Sequence, residues 1–457
     1  MAQTDWQDWS STLPGAAAYA DLTTTTFTLT GLTNGTPYWF AISATNRSVE
    51  SPPSVRISAM PRWTQQLGTA GDEKATGVAV DSNGNIYVTG YTSGILDESG
   101  GGGGSDIFLV KYNSSGNLEW ARQLGTPSGD FAAGVAVGAD GAIYVTGSTS
   151  GDLDGATNAG LSDLFLLKYD PSGTKQWVRQ WGTSGDDEAS SVAVSKDGAI
   201  YVTGFTNGNL DGNNAGGDDL FLIKYDRSGV RQWIRQLGTP GQDEATGVGV
   251  DADGKIYVTG FTNDNLAGNN AGGEDIFLIK YDPSGNKEWG EQVGTPGDDF
   301  AAGVAVDADG EIYVTGFTNG DLKGNNAGGE DLFLVKYNSL GVRQWTQQLG
   351  TPGQEEARGA AVDKDGAIYV TGFTDGALQG NNAGGDDFFL AQYDSSGNLQ
   401  WVRQLGTPSG DFAAGVAVGA DGAIYVAGST SGDLDGNTHA GGSDLSLVKY
   451  HSSGAKQ

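Results

Sequence analysis

Seven tryptophans keep time along this chain. Trp63, Trp120, Trp177, Trp233, Trp289, Trp345 and Trp401 follow one another at spacings of 57, 57, 56, 56, 56 and 56 residues. A second marker keeps the same beat, an acid opening an apolar run at Asp106, Asp163, Asp219, Asp275, Asp331, Asp387 and Asp444. Two markers in phase mean seven copies of one supersecondary unit, and a chain built this way must bury each copy against its neighbours.

One copy reads as four strands. Residues 246–250 (TGVGV) are small and β-branched, and Asp251-Ala252-Asp253-Gly254 turns the chain into 255–262 (KIYVTGFT). A long polar loop, 263–274 (NDNLAGNNAGGE), leads to 275–281 (DIFLIKY), and Asp282-Pro283-Ser284-Gly285 returns the chain through 287–293 (KEWGEQV). A four-stranded unit of roughly 50 residues is the size of one propeller blade, and the 76 glycines suit many tight turns. The expected fold is therefore all-β, a seven-bladed β-propeller of four-stranded blades. Small residues place the first strand at the axis and the Trp strand outermost, because the wedge between blades widens outward. The ends of the array are complementary: the first copy enters at its Trp strand, 63–67, and the last stops after 445–450. These N- and C-terminal strands are expected to pair and close the ring, which removes two sheet edges.

The pattern G-V-A-V-D-x-D-G-x-I-Y-V-T-G-x-T, then D-x-F-L-x-K-Y-D-x-S-G-x-x-x-W, then Q-L-G-T, over about 63–456, resembles the bacterial seven-bladed β-propeller repeat family, with a looser likeness to NHL repeats. That resemblance implies a module of a large exported or surface protein, often joined to adhesion-type domains.

Residues 1–61 lack both markers. Phe27 to Phe40, continuing to Asn46, alternate like paired strands around a Gly turn and resemble the last strands of a fibronectin type III domain, with Tyr38 in the corner-tyrosine position. A whole domain of that kind takes about 90 to 100 residues, so this is read as a partial domain, a short β extension without its first strands: either the sequence is a piece of a longer protein, or the remnant packs on the propeller. The propeller is assigned to 62–457.

A net charge of −31, from 25 basic and 56 acidic residues, argues against nucleic-acid partners. With no cysteine there is no disulfide framework and no thiolate nucleophile. No apolar run is long enough to insert in a bilayer, and the first 30 residues lack a signal-peptide layout, so an extracellular or cell-surface location would rest on a targeting signal outside this sequence.

In a propeller the interblade loops and the loops between strands two and three share one face. Here each interblade loop carries an acid, at Glu73, Asp130, Asp187, Asp243, Asp299, Glu355 and Asp411, and the acids opening strand three (Asp106, Asp163, Asp219, Asp275, Asp331, Asp387, Asp444) point to the same face. Two carboxylates per blade, with loop carbonyls nearby, are a candidate calcium-binding set. The favoured reading is structural, each acid capping loop amides. Tyr91, Phe205, Phe261, Phe317 and Phe373, replaced by Ser148 and Ser429 in two blades, are read first as a hydrophobic plug between strands and second as sugar-stacking rings. The only histidines, His439 and His451, both lie in the last copy, and no triad or metal-His cluster stands out. The expectation is therefore a non-enzymatic binding or scaffolding module whose acidic loop face meets a protein or a glycan, with a lectin-like module as the alternative and a propeller enzyme third.

Overall fold

The computed structural model describes residues 63–457 apart from 98–100, 213 and 325, together with short stretches at 38–40, 45–46, 49–51, 54–55 and 57–59. The chain divides into two compact units, residues 64–455 and residues 1–63 with 456–457. In the smaller unit Tyr38–Phe40 pairs with Ile57–Ala59, and Thr45–Asn46 pairs with Val49–Glu50. The rest of the fibronectin-like reading lies outside the described residues.

The larger unit is a seven-bladed β-propeller of four-stranded antiparallel blades. Blade 1 comprises Glu73–Val80, Ile86–Thr92, Asp106–Tyr112 and Leu118–Leu124. Blades 2 to 6 repeat that order, with first strands Asp130–Val137, Asp187–Val194, Asp243–Val250, Asp299–Val306 and Glu355–Val362. Blade 7 takes Asp411–Val418, Ile424–Thr430 and Asp444–Tyr450 from the C-terminal end and Gln65–Leu67 from the N-terminal side. The closing ladder is shorter than 63–67 against 445–450: Gln65, Gln66 and Leu67 pair with Leu447, Ser446 and Leu445. Thr64 adds a hydroxyl hydrogen bond to Asp435 at 2.5 Å.

First strands surround the axis, and small residues are required there. A Cβ on Gly359 would lie 3.2 Å from Gly415 Cα in the next blade, and one on Gly415 would meet Val78 of blade 1 at 3.4 Å. The second and third strands carry the core, where Tyr87, Phe108, Tyr144 and Phe165 are fully buried. Between blades the packing is continuous: Tyr144 of blade 2 shares a cluster with Ile200, Val202 and Phe221 of blade 3. At the rim four of the repeated tryptophans, Trp120, Trp177, Trp233 and Trp401, stack under an arginine that reaches the next blade. Arg122 lies 5.1 Å from the Trp120 ring and donates to the Gly173 carbonyl at 2.7 Å. That contact explains the W-x-R spacing and the glycine of the facing turn, since a Cβ on Gly173 would strike the Trp120 ring. Trp181, where the other copies carry Leu or Val, packs half-buried against that cluster with the Arg231 guanidinium 4.0 Å from its ring centroid.

Candidate functional site

The fourteen acids singled out in the sequence lie inside the molecule, not on its face: none is more than 3% exposed. The idea that they display an acidic surface is corrected accordingly. The strands that carry them turn them inward, and hydrogen bonds hold them there. In the interblade set, Asp299 accepts from the Thr295 amide at 2.6 Å, from the Thr295 hydroxyl at 2.9 Å and from the Thr318 hydroxyl. Glu73 makes the same clasp with Thr69 and Thr92, its longer side chain accepting at 2.5 to 2.6 Å. The strand-three set clasps differently. Asp219 accepts from the Ala215 amide at 2.9 Å and from Gln236 Nε2 at 2.8 Å. Gln236 also donates to the Gly208 carbonyl at 2.9 Å and accepts from the Leu210 amide at 2.9 Å, tying the outer strand to the long loop. The glutamine of Q-L-G-T supplies this tie in every blade (Gln66, Gln123, Gln180, Gln236, Gln292, Gln348, Gln404).

The two sets adjoin. A Cβ on Gly182 would sit 2.3 Å from Asp163 Oδ1 and 2.9 Å from Asp187 Oδ2, so a glycine is the only residue that lets the two carboxylates flank the strand end. Oδ1 of Asp163, Asp219, Asp275, Asp331, Asp387 and Asp444 is buried with no hydrogen-bond partner among the described residues. Burial pushes Asp163 and Asp219 above the ordinary carboxylate range against the pull of their amide and glutamine donors, and the neighbouring interblade acid adds to the rise. Asp130, Asp299 and Asp411 are raised by burial in the same way. Among the described residues no group of three or more His, Cys, Asp or Glu side chains could hold a metal ion.

A register where the repeats diverge lies beside the axis, at the start of strand one and the end of strand two. The facing pairs are Lys74–Tyr91, Phe131–Ser148, Glu188–Phe205, Glu244–Phe261, Phe300–Phe317, Glu356–Phe373 and Phe412–Ser429. Where strand two carries serine, strand one carries phenylalanine, so every blade keeps an aromatic and blade 5 has two. The plug reading is corrected here. Phe131 and Phe412 are 40% and 38% exposed, and the others are half-buried, so the rings are open to solvent rather than sealed in a seam, and Phe261, Phe300, Phe317, Phe373 and Phe412 line one mouth. They meet edge to face across blades, Phe261 to Phe300 at 4.8 Å and Phe373 to Phe412 at 5.0 Å, while Phe300 stacks on Phe317 at 5.0 Å. The mouth encloses about 430 Å³, with Phe261, Phe317, Phe373, Phe412, Thr246 and Arg358 in its wall.

Charge is unevenly spread around this ring. Arg358 lies 5.6 Å from the Phe317 centroid and 5.4 Å from that of Phe373, and pairs with Glu356. Burial, with Glu330 and Asp386 nearby, pushes Glu356 up to about 7 although Arg358 pulls it down. Burial also pushes Glu244 up to about 7, helped by Asp218, Glu188 and Glu274, and Glu188 is raised by the same cause. Sequence reading named five of the ring's aromatics and missed Phe131, Phe300, Phe412, Glu188, Glu244, Glu356 and Arg358. The signal was there: at these positions strand one exchanges aromatic, acidic, basic and small residues, whereas its other positions change only between similar ones.

The Beta-propeller repeat family model matches residues 62–97, 119–154, 176–211, 232–267, 288–323, 344–378 and 400–435, more than half of the chain. Among curated proteins the chain is 27% identical to the regulatory protein FlaEY of Caulobacter vibrioides over 67% of its length, and 23% identical to an uncharacterized WD repeat-containing protein, L264, of Acanthamoeba polyphaga mimivirus over 83%. It spans 37% of the length of each. Among solved structures it is similar to a polysaccharide lyase, an ulvan lyase bound to a sugar fragment, with a TM-score of 0.50 and 12% identity, over 86% of this chain and 98% of that one. That likeness shows the fold alone, and it corrects the expectation of a non-enzyme. An enzyme stands on this architecture, so neither the propeller nor the repetition of its acids excludes catalysis. With seven matched repeats distributed over seven blades, the chain belongs to the beta-propeller repeat family.

Proposed function

We propose that this propeller is a ligand-binding module of an extracellular or cell-surface protein, and that it receives a protein or glycan partner at the axial mouth. One observation carries the reading: eight aromatic rings gather at a register where the paired residues differ from blade to blade. Structural requirements repeat with the blades, as the acid clasps do. A recognition site needs differences from blade to blade, which the glutamates, Lys74 and Arg358 provide. Exposed rings beside hydrogen-bonding groups suit the faces of sugars as well as protein side chains, because both bury apolar surface while keeping polar contacts. The modest share of its relatives' length that the chain spans agrees with a module in a larger protein.

The test is a binding screen against a glycan array and against surface extracts, with wild-type chain and the Phe412→Ala and Phe131→Ala variants. Both rings are more than a third exposed, so the variants keep the fold. At least tenfold weaker retention of the same ligand by either variant is expected. Equal retention by all three chains would place recognition elsewhere.

A further inference from the structure

Blade 6 carries an occupied version of a niche that blade 4 carries open. In blade 6 the Arg358 guanidinium lies between the rings of Phe317, from the preceding blade, and Phe373, and pairs with Glu356. In blade 4 every wall of that niche is present. Glu244 faces Phe261 as Glu356 faces Phe373, and Phe205 of blade 3 holds the register of Phe317. Contacts across blades confirm how this register meets its neighbour, since Phe300 and Phe412, which correspond to Glu244, touch the strand-two ring of the blade before.

The difference is a single side chain. Thr246 stands where blade 6 has Arg358, and its hydroxyl is turned away to the Ala301 carbonyl at 2.8 Å. Threonine carries no charge to set against Glu244, and the charged groups that act most on Glu244, Asp218, Glu188 and Glu274, are acids. A carboxylate among acids, half-buried at the register of two aromatic rings, is stabilised by a cation that lies flat on the rings and donates to oxygen. Guanidinium does both, whereas ammonium is a compact, strongly hydrated point charge. Thr246 and Phe261 line the same open mouth as Arg358, so the niche is reached from solvent.

We infer that the niche formed by Phe205, Glu244 and Phe261 above Thr246 binds a guanidinium group, that of an arginine side chain on a partner polypeptide, in the pose that Arg358 adopts in blade 6. This rests on the axial mouth being the recognition site and names the chemistry of what enters it. Arg358 is in effect a built-in copy of the ligand.

The experiment titrates the full chain with a blocked Gly-Arg-Gly peptide, its citrulline counterpart and agmatine. Citrulline keeps the shape and removes the charge, and agmatine carries the guanidinium without a polypeptide. The arginine peptide is expected to bind at least tenfold more tightly than the citrulline peptide, and more tightly than agmatine. Thr246→Arg, which supplies the occupant internally, is expected to weaken peptide binding at least tenfold without lowering the melting temperature. Glu244→Gln should weaken it similarly and serves if Thr246→Arg does not fold. Equal affinity for the arginine and citrulline peptides, or undiminished binding by the variants, would overturn the inference. Agmatine binding as tight as the peptide's would overturn the polypeptide source. Should a partner from the binding screen be lost with Phe412→Ala yet retained with Thr246→Arg, the niche assignment fails while the axial mouth stands.

Discussion

Gln66 offers a direct measure of what holds the ring shut. Its Nε2 donates to the Gly432 carbonyl at 3.0 Å and to Asp444 Oδ2 at 2.8 Å, and its Oε1 accepts from the Leu434 amide at 3.1 Å. Gln66→Ala removes all three, one of them to a carboxylate, and leaves the partners in a poorly solvated seam. At about 1 kcal/mol for each neutral bond and about 2 kcal/mol for the charged one, the loss comes to about 4 kcal/mol. An unfolding entropy of about 2 cal/mol/K per residue over a propeller of this size converts that to a fall in melting temperature of roughly 5 °C. Gln236→Ala removes the equivalent bonds inside blade 3 and should cost about as much. The two variants should differ in where they loosen. Strand Arg231–Leu237 is joined to its neighbour by a short turn and makes six pairs with it, whereas Gln65–Leu67 has three pairs and continues into the propeller only on its C-terminal side. Calorimetry gives the first quantity and hydrogen exchange the second. Gln66→Ala should expose the amides of 65–67 and 445–447 to exchange well below the melting transition, while Gln236→Ala leaves strand four of its blade protected. A melting temperature within 1 °C of wild type, with the closing strand still protected, would refute the view that this seam bears on stability.

Two further outcomes follow from the buried acids. Asp130, Asp163, Asp219, Asp299, Asp411 and Glu188 titrate above their ordinary range, and Glu244 and Glu356 rise from 4.5 to about 7, so the folded chain holds protons that the unfolded chain has released. Stability from these groups is present at low pH and lost as pH rises through the window between the two values, so the melting temperature should fall from pH 5 to pH 7.5 and the slope should flatten in Glu244→Gln; a flat or rising profile in the wild type would contradict this. The turn acids Asp282 and Asp394, held low by donors such as Asn286 and Asn398, reverse the trend only below the usual carboxylate range. For the acid clasps, melting curves in millimolar calcium and in chelator should coincide within about a degree if threonine, glutamine and amide donors are the clasp's whole complement. A rise of several degrees with calcium would instead assign ions to the free Oδ1 atoms.

The period of the tryptophans and of the acids gave away the fold because packing at the rim and at the strand ends imposes one chemistry on every blade. Closure was legible for a related reason: the strand missing at one end of the array is present at the other. What the sequence hid was direction. The sequence favours Asp163 and Asp187 as amide caps yet still counts them to an acidic loop face, because composition cannot say which side of a strand end faces a loop, and nothing in Q-L-G-T marks its glutamine as a tie until the long loop folds over it. The axial mouth was half seen. Serine at 148 and 429 looked like a loss of aromatic character, but phenylalanine at 131 and 412 restores it from the adjacent strand, and only the register Phe131–Ser148 and Phe412–Ser429 reveals the exchange.

Each match to the family begins in the Trp strand of one blade and ends beyond the second strand of the next. The unit that is copied in sequence is thus out of phase with the unit that is built in space. Duplicating or deleting one copy would still leave a Trp strand at the front and three strands at the back, so the ends would remain able to pair whatever the number of copies. The seam is therefore indifferent to how many blades there are, and the count has to be settled where the blades crowd most. There, a Cβ on Gly359 would come within 3.2 Å of Gly415 Cα. A chain of this design can change its copy number by a single genetic slip and remain closable, with the axis deciding which rings survive.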